Sequence, residues 1–404
     1  MTTPASTVSA ELLEELRSAR FIESPYDVYR KLREAAPVAF VPLSEEFGHW
    51  WIADYATAAD ALKDSRFSKD VVARMHPDQV TPLDRSMLFR DPPAHTRLRE
   101  LVSRSFTPRT IERLAPRIAE LAEELLVPLD RDGGGDFMTQ FALPLPVTVI
   151  AELLGVPEPD RERFREWSAR LIGASDSTSH TQAVYDAAME AEASIAQYFR
   201  DLIRERRHRP TGDLTSLLLE VHDAGDRLDE GELLGMLTLL LVAGHETTVN
   251  LLGNGFAALM AHPGEWERLR ADPGLAESAV EEMLRYDAPV QRATFRWSPA
   301  EADVAGVRMG EGDAVAVVIG SANRDPAQFP DPDRFDISRA PNRHLAFGRG
   351  IHFCLGAPLA RLEARLALAA LTRHWPGATV GDGVVRRPNT AFRGFRRLPI
   401  RVRH

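Results

Sequence analysis

Residues 344–364 read HLAFGRGIHFCLGAPLARLEA and hold Cys354, the one cysteine of the 404-residue chain. A solitary thiol is, by default, a small buried hydrophobe. Its surroundings argue for more. Gly348, Gly350 and Gly356 allow sharp turns or the close approach of a flat ligand. Pro358 suits the first turn of a helix running through APLARLEARLALAALTRH. A thiol just ahead of a helix start meets amide donors and the positive end of the helix dipole, which favour thiolate. A thiolate placed there is a nucleophile or a metal ligand.

The rest of the composition narrows the setting. Net charge is −10, with 49 basic and 59 acidic residues, which argues against a general nucleic-acid binder. One cysteine cannot form an internal disulfide, so a reducing, cytoplasmic setting is expected. The N-terminal MTTPASTVSAELLEELRSAR lacks the basic-then-apolar order of a secretory signal. The longest strongly apolar run, LLGMLTLLLVAG at 233–244, stops at His245 and Glu246. A bilayer span needs roughly 20 apolar residues, so this run is expected in a buried helix and no membrane partner is expected.

Helical periodicity dominates from about 93 to 286, as in RTIERLAPRIAELAEELL. Strand-like alternation is confined to HWWIAD, ATFRW (293–297), DAVAVVIG (313–320) and the C-terminal RRLPIRVR, with a β-rich part at about 35–70. There is no internal repeat or linker-like block, so a single unit over 1–404 is expected, mainly α with small β-sheets.

The segment 228–262 reads as one helix, far longer than the usual ~11–12 residues and apolar nearly all round. Its polar interruption AGHETT therefore falls inside the core. Either Thr247 and Thr248 bond back to their own helix and Glu246 meets an arginine, or the interruption faces a site. His245-Glu246 opens like the zinc motif H-E-x-x-H, but position 249 is Val. Zinc also fits Cys354 poorly, because structural zinc takes several thiolates. Haem iron uses a single thiolate as one of its few axial ligands.

The run Phe347-Gly348-Arg349-Gly350-Ile351-His352-Phe353-Cys354-Leu355-Gly356 resembles the haem-binding signature F-x-x-G-x-x-x-C-x-G of the cytochrome P-450 monooxygenases, in its soluble bacterial form. The resemblance extends over nearly the whole chain. It implies a triangular-prism-like helical body with the long helix over the haem, and haem b bound to Cys354 in the loop 344–356, with Phe347 beside it. Ala243-Gly244 and Glu246-Thr247 would form the oxygen-activating groove, Thr247 and Glu246 being catalytic. Glu282, Arg285 and Arg334 would form a buried network that holds the cysteine loop.

Haem also needs cations for its propionates. His95 and Arg99 in DPPAHTRLR lie four apart on one helix face, beginning near an Asp91-Pro92-Pro93 cap, and match the family's H-x-x-x-R site. On ATFRW, Thr294 and Arg296 point to one side and Phe295 to the other. Arg296 and His352 are then further propionate partners.

The implied reaction inserts one atom of O2 into an apolar small molecule, by hydroxylation or epoxidation. With no reductase expected in the chain, electrons would come from NAD(P)H through a ferredoxin and its reductase. Arg104, Arg109, Arg343, Arg349, Arg361 and Arg365 could form the basic docking patch. Pocket walls are expected from Met87, Leu88 and Phe89, from about 166–186, and from Leu239, Leu240, Ala243, Val290, Thr294 and Phe392. They suit a natural product, steroid or terpenoid. The rival readings are a peroxide-driven peroxygenase, which typically lacks the acid–alcohol pair, a non-catalytic haem sensor, and a cysteine hydrolase lacking an evident orienting Asn or Asp.

Overall fold

The structure, a computed structural model, describes residues 7–44, 47–104, 106–174, 181–223 and 228–402. Most of the chain is helical. The helices that matter for the site are α1 (Ala94–Ser103), α2 (Pro144–Leu154), α3 (Arg161–Gly173), α4 (Gln182–His208), α5 (Glu230–Ala261), α6 (Ala276–Tyr286) and α7 (Ala357–His374).

Helix α5 runs 32 residues through the middle of the body. Asp229 and Glu232 start it with reciprocal side-chain-to-amide bonds of 2.8 and 3.0 Å, a capping box that satisfies two otherwise orphaned donors. It has the length and composition of a membrane span, yet 72% of its most apolar window is buried inside the protein. Its neighbours α2, α3, α4, α6 and α7 supply that cover, and the apolar side chains of these helices merge into one large core.

The main sheet joins strands from opposite ends of the sequence. Its order is β1 (Val38–Pro42), β2 (Gly48–Ile52), β4 (Ala314–Val317), β3 (Arg296–Trp297). β1 and β2 are antiparallel with Val38 opposite Ile52, β2 and β4 are parallel, and β3 returns antiparallel with Arg296 opposite Val315. The expected β-rich stretch at 35–70 is thus only half of a sheet, and it also contains the helix Tyr55–Ala61.

The C-terminal RRLPIRVR divides between two sheets. Phe395–Arg397 pairs with Val385–Arg386, whereas Pro399–Arg401 pairs with Gly134–Asp136 and Thr379–Val380. The helical stretch 93–286 therefore carries one short strand.

Candidate functional site

Backbone bonds shape the loop from His344 to Gly356 before any ligand enters. Gly348 and Gly350 take φ of 70° and 74°, the left-handed region that glycine enters without strain. At Gly350 space is limiting too, since a β-carbon would lie 2.9 Å from the Leu62 carbonyl oxygen. The Cys354 amide donates to the Phe347 carbonyl at 2.9 Å and closes the loop. Helix α7 begins three residues later.

Cys354 lines a cavity that is partly open to solvent and walled mostly by apolar side chains. Burial pushes the Cys354 thiol pKa up, while the Gly356 and Ala357 amides and the charges of Arg99 and Arg361 pull it down. Burial wins. The helix-start amides expected from the sequence are present, but they do not make a thiolate alone; a bound metal cation would. Among the described residues no three His, Cys, Asp or Glu converge, so a metal over this thiol must bring its other donors with it.

The polar interruption of α5 shares this cavity with Cys354. Ala243, Gly244, Thr247 and Thr248 all line the cavity. The Thr247 hydroxyl donates to the Ala243 carbonyl at 3.0 Å. Gly244 is small for packing as well, because a β-carbon there would meet Ile150 of α2 at 2.9 Å. Glu246 behaves differently from its neighbour. It is buried, does not line the cavity, and pairs with Arg387, just after the strand Val385–Arg386. Successive helical residues point about 100° apart, so the acid and the alcohol leave α5 in different directions. Both alternatives read for AGHETT therefore hold together: an arginine meets Glu246, and Thr247 faces a site.

The cavity collects basic side chains. His95, Arg99, Arg296 and His352 all line the cavity, and no Asp or Glu does so among the described residues. The rings of His95 and His352 lie 4.4 Å apart. His95 is buried, and among the described residues neither ring nitrogen has a hydrogen-bond partner. Burial, then the charges of Arg99 and Lys69, lower its pKa. Burial alone brings Arg296 down to about 10. Orphaned buried donors around a carboxylate-free rim suit a flat anionic ligand, and haem, a metal-bearing macrocycle with two carboxylates, fits that description.

Some expectations need correction. Asp91 does not cap α1: Pro93 occupies the cap without a side-chain bond, and the Asp91 carboxylate accepts from Ser68 and the Lys69 amide. In ATFRW only Arg296 and Trp297 are strand, although Thr294 and Arg296 do face the cavity while Phe295 packs on His49. Met87, Leu88, Leu239, Leu240 and Val290 line the cavity as expected. Phe89 and Phe392 are not among its lining residues, nor is any described residue of 166–186; residues 175–180 lie outside the described ones.

The buried network is also rearranged. Glu282 and Arg285 are both fully buried and bond at 2.7 Å. The third member is Arg339, 3.3 Å from the Glu282 carboxylate, with Asn342 donating to it at 3.1 Å. Arg334 offers Arg285 only its backbone carbonyl, at 3.1 Å, and its side chain stands 64% exposed. The network reaches the cysteine loop through Asn323, whose carbonyl accepts from Arg285 and whose side chain accepts from the Leu345 amide at 2.7 Å.

Sequence reasoning missed a second tether. Glu281 takes a 2.6 Å bond from Arg361 on α7 and lies 3.1 Å from His344. Arg361 also sits over the Phe347 ring at 4.5 Å. Burial favours neutral Glu281, but these partners hold its pKa down to about 2. Arg361 is thus engaged, as is Arg365 with Glu277 at 3.3 Å, and Arg349 donates to the Tyr55 hydroxyl. Exposed Arg104, Arg109 and Arg343 remain of the expected basic patch, beside exposed Ile351 and Phe353. Lys69, Glu281, Arg339 and Arg387 carried no local signal, because each acts through a partner distant in the sequence.

Known proteins resemble this chain throughout. The cytochrome P-450 family model matches residues 169–273 and 274–390. The chain is 46% identical over 391 residues to the PikC cytochrome P-450 monooxygenase of Streptomyces venezuelae, covering 95% of this chain and 92% of that protein. It is 42% identical to the vitamin D(3) 25-hydroxylase of Pseudonocardia autotrophica, over 98% of each. A myxobacterial cytochrome P-450 in complex with myristic acid matches with a TM-score of 0.91 and 40% identity, over 96% of this chain and 99% of that one. With the signature loop, the long helix above it and this likeness along its length, the chain belongs to the cytochrome P-450 family and is one of its haem-dependent monooxygenases.

Proposed function

We propose that the chain is one haem domain that binds haem b through Cys354 and oxygenates a bulky apolar molecule. Bound haem supplies the reductive activation of O2 and the transfer of one oxygen atom to carbon. The chain supplies the setting. Phe347, Gly348, Ala243 and Gly244 would leave room for the macrocycle, Arg99 and Arg296 would neutralise its carboxylates, and His95 and His352 would donate hydrogen bonds to them. Thr247 would donate a hydrogen bond or a proton at its hydroxyl, and Glu246 would replenish that proton through water.

The observation that carries this reading is one cavity lined by Cys354, by Thr247 and by several basic side chains, with no Asp or Glu among its described lining residues. The test is spectral. Haem-loaded, reduced wild type under carbon monoxide should show the strongly red-shifted band of a thiolate complex, and Cys354→Ser should lose it. A wild type that binds haem yet lacks the band refutes the ligand assignment.

The apolar lining formed by Met87, Leu88, Leu239, Leu240, Val290 and Ala293 supports a steroid, terpenoid or other natural product as substrate. The resemblance to a vitamin D(3) hydroxylase supports the same class. A ligand screen scored by the shift in the haem spectrum on displacement of its water would name it.

The electron donor we propose is a small acidic ferredoxin with its reductase. It would dock at Arg104, Arg109 and Arg343 around Ile351 and Phe353, beside the cysteine loop. We place the protein in the cytoplasm, as a soluble enzyme; its apolar central helix is covered by the protein itself.

A further inference from the structure

We propose that Lys69 is a further cation of this site, its ammonium group held ready for one carboxylate of the bound macrocycle. The proposal rests on the haem reading above. Lys69 is 2% exposed and lines the cavity. Its ammonium donates to the Thr294 hydroxyl at 2.6 Å, and among the described residues it has no salt bridge. The nearest acid, Asp91, is engaged elsewhere: its carboxylate takes the Ser68 hydroxyl and, at 3.0 Å, the backbone amide of Lys69 itself.

The position is built rather than incidental. Ser68 and Trp297 exchange backbone hydrogen bonds of 2.8 and 2.9 Å. That bridge sets Lys69 beside β3, the strand carrying Arg296, so two segments more than two hundred residues apart present their cations together. An ammonium ion buried beside another cation, with only the already bonded Asp91 carboxylate to offset it, is strongly disfavoured. Consistent with this, burial, with the Arg296 charge adding to it, drives the Lys69 pKa well below its ordinary value. A ligand carboxylate resolves the imbalance. The chain has only three lysines, its other cations being arginine or histidine. A compact point charge on a flexible stem suits a site where Thr294 already occupies one direction.

The test uses ferric holoenzyme and two readouts other than turnover: the rate of haem transfer to excess apomyoglobin, and the reduction potential. Lys69→Met should lose haem about tenfold faster, as expected for one charge-assisted bond. Its potential should become more negative, because a nearby positive charge favours the reduced, more electron-rich state. Lys69→Arg should stay within about twofold of wild type. If Lys69→Met yields no folded holoenzyme, Lys69→Gln against Lys69→Arg reads the same two quantities.

Unchanged haem transfer and unchanged potential in the neutral variant would overturn the proposal and leave Lys69 as a partner of Thr294 only. Unchanged haem transfer with weakened binding of myristic acid, but not of its alcohol, would overturn it in favour of an acidic substrate. A wild type that takes up no haem would instead remove the reading beneath it.

Discussion

Arg387 pairs with the buried carboxylate of Glu246, which does not line the cavity that Thr247 enters. The carboxylate that would feed protons to Thr247 is therefore held by a residue near the far end of the chain. Removing one member of a buried pair typically costs about 3–5 kcal/mol, since the other is left uncompensated. Arg387→Met should lower stability to urea by that order, and Arg387→Met with Glu246→Leu should recover most of it. Equal losses in the single and double variants would show that the pair is not coupled.

Thr247, unlike Glu246, lines the cavity, and its hydroxyl is the group whose loss should separate oxygen consumption from product. Thr247→Ala should bind haem normally and continue to oxidise NAD(P)H. Product should fall by roughly 10- to 100-fold, with hydrogen peroxide appearing in its place. Titrating peroxide against NAD(P)H consumed checks this.

The corrected network makes a sharp comparison among arginines. Arg285→Ala leaves Glu282 fully buried without its 2.7 Å partner and should cost about 3–5 kcal/mol, with loss of haem loading. Arg334→Ala removes an exposed side chain and should stay within about 0.5 kcal/mol of wild type. Arg339→Ala should fall between them. Denaturant unfolding ranks the three.

Glu281 sets an acid limit. Its pKa falls from 4.5 to about 2 on folding, so the stability it contributes is present above about 4.5 and is lost as pH falls towards 2. Wild type should weaken through that window by about 1–3 kcal/mol on this account, given the partial exposure of the pair. Glu281→Gln should be less stable at neutral pH and show a flatter acid dependence. Tm measured from pH 7 to pH 3 gives the slope.

If Arg104 and Arg109 guide an acidic ferredoxin, reversing both to Glu should raise its KM at low ionic strength and leave kcat nearly unchanged. The salt dependence of turnover should shrink with them.

The most legible parts of the molecule were those written locally. The glycines around Cys354, the apolar run ending at His245 and the four-residue spacing of His95 and Arg99 each carry their geometry within one turn or one loop. What escaped notice depends on distant partners. Arg339 displaced Arg334 because the turn after Pro330 brings the later arginine to Glu282, and both look alike in a row of charged residues. Glu246 drew attention for the right chemistry, yet its orientation is decided by Arg387, 141 positions further on. Lys69 belongs to no local motif, and it is the bridge from Ser68 to Trp297 that holds its segment where the side chain is buried.

The main sheet carries a consequence for the order in which the protein is made. β2 finds its partner β4 only after residues 314–317 have been synthesised, and Arg296 is pinned by that same strand. The cationic rim therefore cannot assemble while the N-terminal half emerges from the ribosome, and the cysteine loop arrives later still. Contacts of such sequence separation form slowly, so until then the nascent chain has only its helices and the local β1–β2 pairing to rest on.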